Sequence, residues 1–208
     1  QATQKSLDDM FFDPEKWLND EVSREFSEKE ANAFLLGNGV NKPKGMLAYD
    51  MTLEVDKVRA FGKLQKLISG VAGGITGDKL IDLVQSLKAG YRQNATFMMN
   101  NLTVGMVRKL KDAEGNYLWR PGLELGQPSS LLSYGITENE DMPDAAADAN
   151  AIAFGDYKRG YLVVDRIGTR VLRDPYTNKP YVGFYTTKRV GGMLVDSQAI
   201  KVLTLSAA

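Results

Sequence analysis

Residues 13–39, DPEKWLNDEVSREFSEKEANAFLLGNG, form the longest helical pattern in the chain. Asp13 before Pro14 provides an N-cap and a proline at the first helical position, and Gly37 and Gly39 provide a left-handed end. A helix over residues 14–36 would extend about 34 Å. Because its apolar stripe is thin and charged residues cover the rest of its surface, the pattern predicts a helix along the edge of a flat body.

The remainder of the chain predicts an α+β fold. Residues 78–91 carry apolar side chains at helical spacing, and a buried strand at 96–99 precedes a helix capped by Asn101, with Leu102, Met106, Val107 and Leu110 facing inward. Residues 45–77 are weakly patterned and rich in glycine, which favours loops. After an acidic, exposed loop at 141–150, alternating residues predict strands at 152–154, 161–165, 169–173, 181–187 and 200–205. Helices early and strands late are typical of α+β proteins.

Composition excludes several classes of function. The chain has 208 residues, 43% of them apolar, with a net charge of zero, no cysteine and no histidine. A protein that coats nucleic acid by charge alone would carry a basic excess. Thiolate nucleophiles, cysteine-ligated metals and histidine bases are excluded, so we expect no cofactor and no metal. No apolar run approaches the roughly 18 residues of a membrane span, and the N-terminus has no apolar signal core, so we expect no membrane partner.

Four features could carry chemistry, and each has a simpler interpretation. Residues 37–42, GNGVNK, lack phosphate-loop spacing and follow a helix, which favours a helix end. Five carboxylates could bind a divalent cation or act as an acid–base pair, but their density in an alanine-rich loop favours solvation; they are Glu138, Glu140, Asp141, Asp144 and Asp148. Residues 157–161, YKRGY, could stack on and neutralise nucleic acid, although a turn between strands is favoured. Trp17 and Trp119 are expected to pack rather than bind, Trp17 as an anchor of the long helix.

Several stretches, taken in order, resemble a known family. They are EANAFLLGNG at 30–39 with KPKGML at 42–47, FMMNN at 97–101 leading into LKDAEGNYLW at 110–119, EDMP at 140–143 followed by AFGDY at 153–157, and VVDR at 163–166, VLRD at 171–174 and KRVGG at 188–192. Together they resemble the major capsid protein of tailed phages, of the Hong Kong 97-type fold, especially in prophages and gene transfer agents. The resemblance covers about residues 13–205.

The resemblance implies a flat subunit with two domains. Residues 1–44 and 160–192 would form a peripheral domain with a long spine helix, and residues 45–159 and 193–208 an axial domain lining pentamer and hexamer centres. The subunit would assemble with copies of itself into an icosahedral shell around double-stranded DNA, touching that DNA non-specifically. Portal, protease and scaffold proteins are further implied partners, the host cytoplasm is the implied place of assembly, and no catalytic residue is expected.

Two other functions stay open from the sequence. One is a nanocompartment shell of the same fold that encloses enzymes. The other is a carboxylate-dependent hydrolase using Glu138, Glu140 or Asp141.

Finer expectations concern the peripheral domain. Family members carry an N-terminal arm and an extended loop before the spine helix, and this chain starts too late for them. Some members crosslink a lysine of that loop to an asparagine near the peripheral hairpin, assisted by a glutamate. Asn178 lies near the acceptor position, but the strand at 186–189, TTKR, has no carboxylate, so we expect no crosslink. Phe26 should pack on residues 181–185 and Glu25 should face outward.

Overall fold

The computed structural model describes residues 2–3, 14–111, 114–115 and 130–207. In chain order the elements are β1 (Ala2–Thr3), α1 (Pro14–Leu36), a 3-10 helix (Met46–Ala48), β2 (Met51–Thr52), β3 (Leu64–Ala72), α2 (Gly77–Ser86), α3 (Ala89–Arg92), β4 (Thr96–Met99), α4 (Asn101–Arg108), β5 (Ser130–Leu131), β6 (Tyr134–Glu138), β7 (Ile152–Gly155), α5 (Tyr157–Gly160), β8 (Tyr161–Asp174), β9 (Tyr181–Leu194) and β10 (Ile200–Ser206). Two expectations, the Asp13 cap and the packing of Trp119, lie outside the described residues.

The strands form two sheets, so the α+β class is confirmed. A seven-stranded mixed sheet has the order β2-β3-β10-β7-β4-β6-β5, and a three-stranded sheet has the order β1-β9-β8. In the larger sheet, β10 runs parallel to β3 and antiparallel to β7, while β4 runs parallel to β6. The small sheet is almost entirely the β8–β9 hairpin, because β1 contributes only two pairs near the hairpin tip.

The hydrophobic core lies on both faces of the seven-stranded sheet. Leu203 and Leu205 of β10 point into a cluster beneath α2 and α4 that includes Phe97 and Phe154. Ile200 and Val202 of the same strand point into a second cluster, with Leu35 at the end of α1 and Met46 of the 3-10 helix. Since successive strand residues face opposite sides, β10 is buried on both faces.

Helix α1 is attached to this core through its C-terminal end. It ends at Leu36, as predicted, and the chain then folds back so that the Gly45 amide donates to the Gly37 carbonyl at 2.8 Å. A Cβ on Gly45 would lie 2.4 Å from the Leu35 carbonyl oxygen, and one on Gly37 would lie 2.2 Å from the Pro43 oxygen. The glycines of this segment therefore permit a close backbone approach.

Three expectations for residues 45–150 were wrong. The segment expected to be loops contains β3, a nine-residue strand whose pairing with both β2 and β10 overrides its weak pattern. The helix expected at 78–91 divides at Leu87, whose extended backbone separates α2 from α3. The loop at 141–150 is not wholly exposed, because Met142 is buried in the second core cluster.

The cap of α4 also differs from the prediction. Asn100 is the N-cap, and its Oδ1 accepts from the Thr103 amide at 3.1 Å. Of the four residues predicted to face inward, Val107 is buried and Leu110 packs against the core, as predicted, whereas Leu102 is 64% exposed and Met106 is 37% exposed.

The strands expected at 161–165 and 169–173 form one continuous strand, β8, and β9 continues to Leu194. Register shifts between Asp165 and Ile167, and between Ile167 and Arg170, interrupt the alternation that the sequence pattern depends on. A bulge adds a residue to one strand without ending it, which explains why one strand was predicted as two.

Candidate assembly surfaces

The β8–β9 hairpin is a long ribbon with two distinct faces. Each strand has fourteen residues and extends about 46 Å. Residues directly opposite each other in the register share a face. One face is turned toward α1: a Cβ on Gly192 would lie 3.0 Å from Phe34, and Phe34 packs edge-on against Tyr161 with ring centroids 6.0 Å apart.

The opposite face of the hairpin is exposed and carries several large apolar side chains. Its cross-strand pairs include Leu162 with Met193 and Leu172 with Tyr185. All four side chains are at least 49% exposed. Since an isolated two-stranded hairpin is marginal in water, and large exposed apolar patches mark contact surfaces, this outward face is suited to covering by another chain.

An ion pair joins the hairpin to α1. The Lys188 Nζ lies 2.6 Å from Glu30 Oε1 and 3.8 Å from Asp165 Oδ2. The hydrogen bond to Glu30 raises the pKa of Lys188 above its usual value, although partial burial opposes this.

Phe26 lies beside this pair and not on residues 181–185 as expected: it is partly buried in a cavity shared with Lys188 and Val190. Glu25 is exposed, as predicted.

A second surface is the loop at 53–63 between β2 and β3. Four of its side chains are large, apolar and more than half exposed: Leu53, Val55, Val58 and Phe61. Beneath them, Arg59 is buried. Its Nη2 donates to Asp56 Oδ1 at 2.7 Å and its Nη1 donates to Ser197 Oγ at 3.0 Å, and it also bonds to the Lys63 carbonyl.

The same network includes a fully buried lysine. Lys201 Nζ is bonded to Asp56 and donates to Gln65 Oε1 at 2.8 Å. Burial lowers the pKa of Lys201, although Asp56 partly opposes this. Burial would raise the pKa of Asp56, but hydrogen bonds from Lys201 and Arg59 hold it below the usual value. Sequence reasoning missed this network; its one signal was a lysine within the apolar run of β10, since a buried charge requires a partner.

A third surface is an apolar groove of about 230 Å³ between α2, α4 and the turn after β5. Its lining side chains are all aliphatic apart from one glycine: Gly77, Leu80, Ile81, Val107, Leu110, Leu131 and Leu132. Ile81 and Leu132 are exposed at the groove, and Leu80 and Val107 form its buried floor.

The residues that the sequence offered as candidates for catalysis, metal binding or ligand binding lie apart from these surfaces. Asp141 accepts from Asn32 Nδ2 at 2.9 Å, and Asp144 accepts from Asn100 Nδ2 at 2.5 Å, so both carboxylates hold local structure. No group of three acidic side chains in the described ranges is arranged to hold a metal ion. Trp17 is 56% exposed on α1 and is therefore not a buried anchor.

The YKRGY stretch forms the helical turn α5, capped by Asp156. The Tyr157 hydroxyl is buried, with no hydrogen-bond partner among the described residues, and burial raises its pKa well above the usual value. Burial also raises the pKa of Tyr161 to about 12, and its hydroxyl donates to the Lys44 carbonyl at 2.8 Å. These rings face the protein interior, which does not suit stacking on bases.

The helices within the described ranges include none that combines the length and the apolarity needed to cross a membrane. The surfaces found instead expose large apolar side chains. The model of the phage capsid family matches residues 1–205.

The chain belongs to the phage capsid family. It is similar to the solved capsid of the empty gene transfer agent (GTA) particle, with 46% identity over 99% of this chain and 71% of that chain, and a TM-score of 0.91. The capsid of the native GTA particle matches with the same identity and TM-score, over 70% of its chain. Among curated proteins, none matches.

More distant structures share the fold alone. The SrpI encapsulin complex from Synechococcus elongatus PCC 7942 matches at 12% identity with a TM-score of 0.66, over 100% of this chain and 72% of that chain. These matches confirm the Hong Kong 97-type fold predicted from the ordered motifs. The protein is a major capsid protein, a structural subunit of a shell.

Proposed function

We propose that this capsid protein forms pentamers and hexamers that close into an icosahedral shell around double-stranded DNA, and that it does so without catalytic activity or a cofactor. The observation that carries the proposal is the 46% identity to the GTA capsid over nearly the whole chain, a capsid whose structure was computed with C5 symmetry. Shell formation depends on association, and the exposed apolar surfaces supply the required contact area.

A division into two domains accompanies this function. Residues 1–44 and 160–192 form the peripheral domain, and residues 45–159 and 193–208 form the axial domain. The two sheets support the division, since β8 and β9 lie in one sheet while β2 to β7 and β10 make up the other, and Lys188 of β9 is bonded to Glu30 of α1. The axial domain would line the centres of the pentamers and hexamers.

The chain's neutrality bears on its partners. A net charge of zero suits a shell that confines DNA through non-specific contact without condensing it. Portal, protease and scaffold proteins would be its other partners during assembly in the host cytoplasm, before the subunit becomes part of the particle's capsid.

Electron microscopy of the full-length gene product tests the proposal. Closed particles are expected in negative stain, and uniform monomers under all assembly conditions would refute it. Nuclease-treated particles should retain double-stranded DNA. Protein cargo in place of DNA would favour the nanocompartment alternative, which at present has only a 12% identical relative in its support.

A further inference from the structure

In the loop at 53–63, buried charged side chains hold exposed apolar side chains in place. Arg59 and Asp56 turn inward and are almost completely buried, with Lys201 completely buried beneath them. Placing charges in the interior costs stability unless every partner is satisfied. A surface loop can connect two strands without a network of buried charged side chains. The network instead fixes a platform on which Phe61 is 82% exposed and Val58 is 71% exposed.

The aliphatic groove has the complementary character. Its walls are side chains of α2, α4 and the β5 turn, and it carries no charged lining residue. A cavity of about 150 Å³ with aliphatic and aromatic walls accommodates benzene. A groove of about 230 Å³ therefore has room for the phenyl ring of one phenylalanine.

The loop and the groove lie on different sides of the subunit. The loop connects β2 and β3, which form one edge of the seven-stranded sheet, while the groove is lined by the residues of β5, the strand at the other edge. A ring of identical subunits requires this arrangement, because each copy must present one patch to the copy on one side and a different patch to the copy on the other.

We propose that in each pentamer and hexamer the loop at 53–63 of one copy docks into the α2–α4–β5 groove of the next copy, with Phe61 seated between Ile81 and Leu132. The interface is head-to-tail, so the loop never meets a second loop. It rests on the proposed assembly into rings, and it assigns the contact within a ring to these two surfaces. The outward face of the β8–β9 hairpin, by contrast, remains available for other contacts.

A cysteine-crosslinking experiment tests this contact, since the natural chain has no cysteine. The full-length chain carrying both Phe61→Cys and Ile81→Cys is assembled, treated with a short bis-maleimide and run on a denaturing gel. Both positions are exposed, so folding should be retained. A covalent ladder ending at five or six subunits is expected. The matched control pairs Phe61→Cys with Leu172→Cys on the hairpin and should give no such ladder.

Each alternative result has a distinct meaning. Particles that form normally but yield no ladder from the Phe61→Cys/Ile81→Cys variant would overturn this interface and leave the proposed function standing. Dimers from Phe61→Cys alone would show loops meeting loops and would also overturn it. If the unmodified full-length chain formed no particles, the proposed function would fail, and this interface with it.

A second measurement uses the loop without crosslinking. Phe61→Ser should reduce the fraction of assembled protein severalfold while the thermal midpoint of the unassembled chain stays unchanged, because the phenyl group of Phe61 makes few contacts within its own subunit. Unaltered assembly of Phe61→Ser would contradict the proposed position of Phe61 in the groove of the next copy.

Discussion

Lys188 of β9 and Glu30 of α1 are bonded at 2.6 Å across the gap between the hairpin and the long helix, 158 residues apart in the chain. Both side chains are about one-fifth exposed. Helix α1 is buried mainly at its C-terminal end, and this pair and the neighbouring Phe26 connect its middle to the hairpin. The relative placement of helix and hairpin therefore depends on a contact that is sensitive to charge.

Replacing Lys188 should loosen the hairpin. Lys188→Met leaves Glu30 without its partner, and faster hydrogen exchange is expected at the amides of β9 nearest α1. Arg24→Met is the matched control, because Arg24 forms an exposed pair with Glu21 within the helix and exposed pairs contribute little. Equal effects of the two substitutions on β9 exchange would contradict the role given to Lys188.

The same pair predicts a pH dependence. The pKa of Lys188 is raised in the folded chain, so its contribution to stability is complete below the unfolded value of 10.5 and is lost as pH rises through the higher folded value. Thermal unfolding between pH 9 and pH 11 should show an alkaline loss of stability that is smaller in Lys188→Met. An unchanged alkaline profile in that variant would argue against the ion pair.

Phe26 and Glu25 test the facing of α1. Because Phe26 is only partly buried, Phe26→Ala should cost about 1–2 kcal/mol of unfolding free energy, below the roughly 3–5 kcal/mol of a fully buried phenylalanine. Glu25→Ala, on the exposed side, should change it by less than about 0.5 kcal/mol. Urea unfolding measures both values, and equal losses would show that the facing is wrong.

Local signals made the long helix predictable, whereas long-range pairing decided what the sequence pattern could not. The bounds of α1 follow from a proline at one end and glycines at the other. The partner of Lys201 could not be chosen from the sequence, because Asp56 is 145 residues away among many other carboxylates. The outward face of the hairpin was hidden for another reason: each bulge in β8 shifts the alternation by one residue and exchanges the two faces.

The buried network predicts unequal costs for its members. Asp56→Asn leaves Arg59 and Lys201 as two buried cations without a carboxylate, and a loss of about 3–5 kcal/mol in unfolding free energy is expected. Lys201→Met should cost less, because Asp56 keeps its bond to Arg59 and an apolar chain of similar length fills the site. Chemical denaturation of the two variants decides between this order and its reverse.

Acid titration offers a check on the same site. The pKa of Asp56 is held below its usual 3.8, so its contribution is present above that value and is lost as pH falls through the lower folded value. Asp56→Asn should therefore show a weaker loss of stability on acidification than the natural chain. A steeper acid loss in the variant would contradict the assigned direction.

Gly45 tests the close approach that attaches α1 to the sheet domain. A methyl group at this position would lie 2.4 Å from the Leu35 carbonyl carbon and oxygen, both backbone atoms that cannot rotate aside. Gly45→Ala should therefore cost about 1–3 kcal/mol through overpacking, and it should displace the 3-10 helix that follows.

Gly105→Ala is the matched control: Gly105 lies inside α4, and a Cβ there would meet no atom within 4 Å. Because alanine is a better helix former, this variant should gain about 0.5–1 kcal/mol. Thermal unfolding compares the two, and a Gly45→Ala variant as stable as the natural chain would show that the turn tolerates a side chain, so that the close approach of residues 37 and 45 would not be what positions α1.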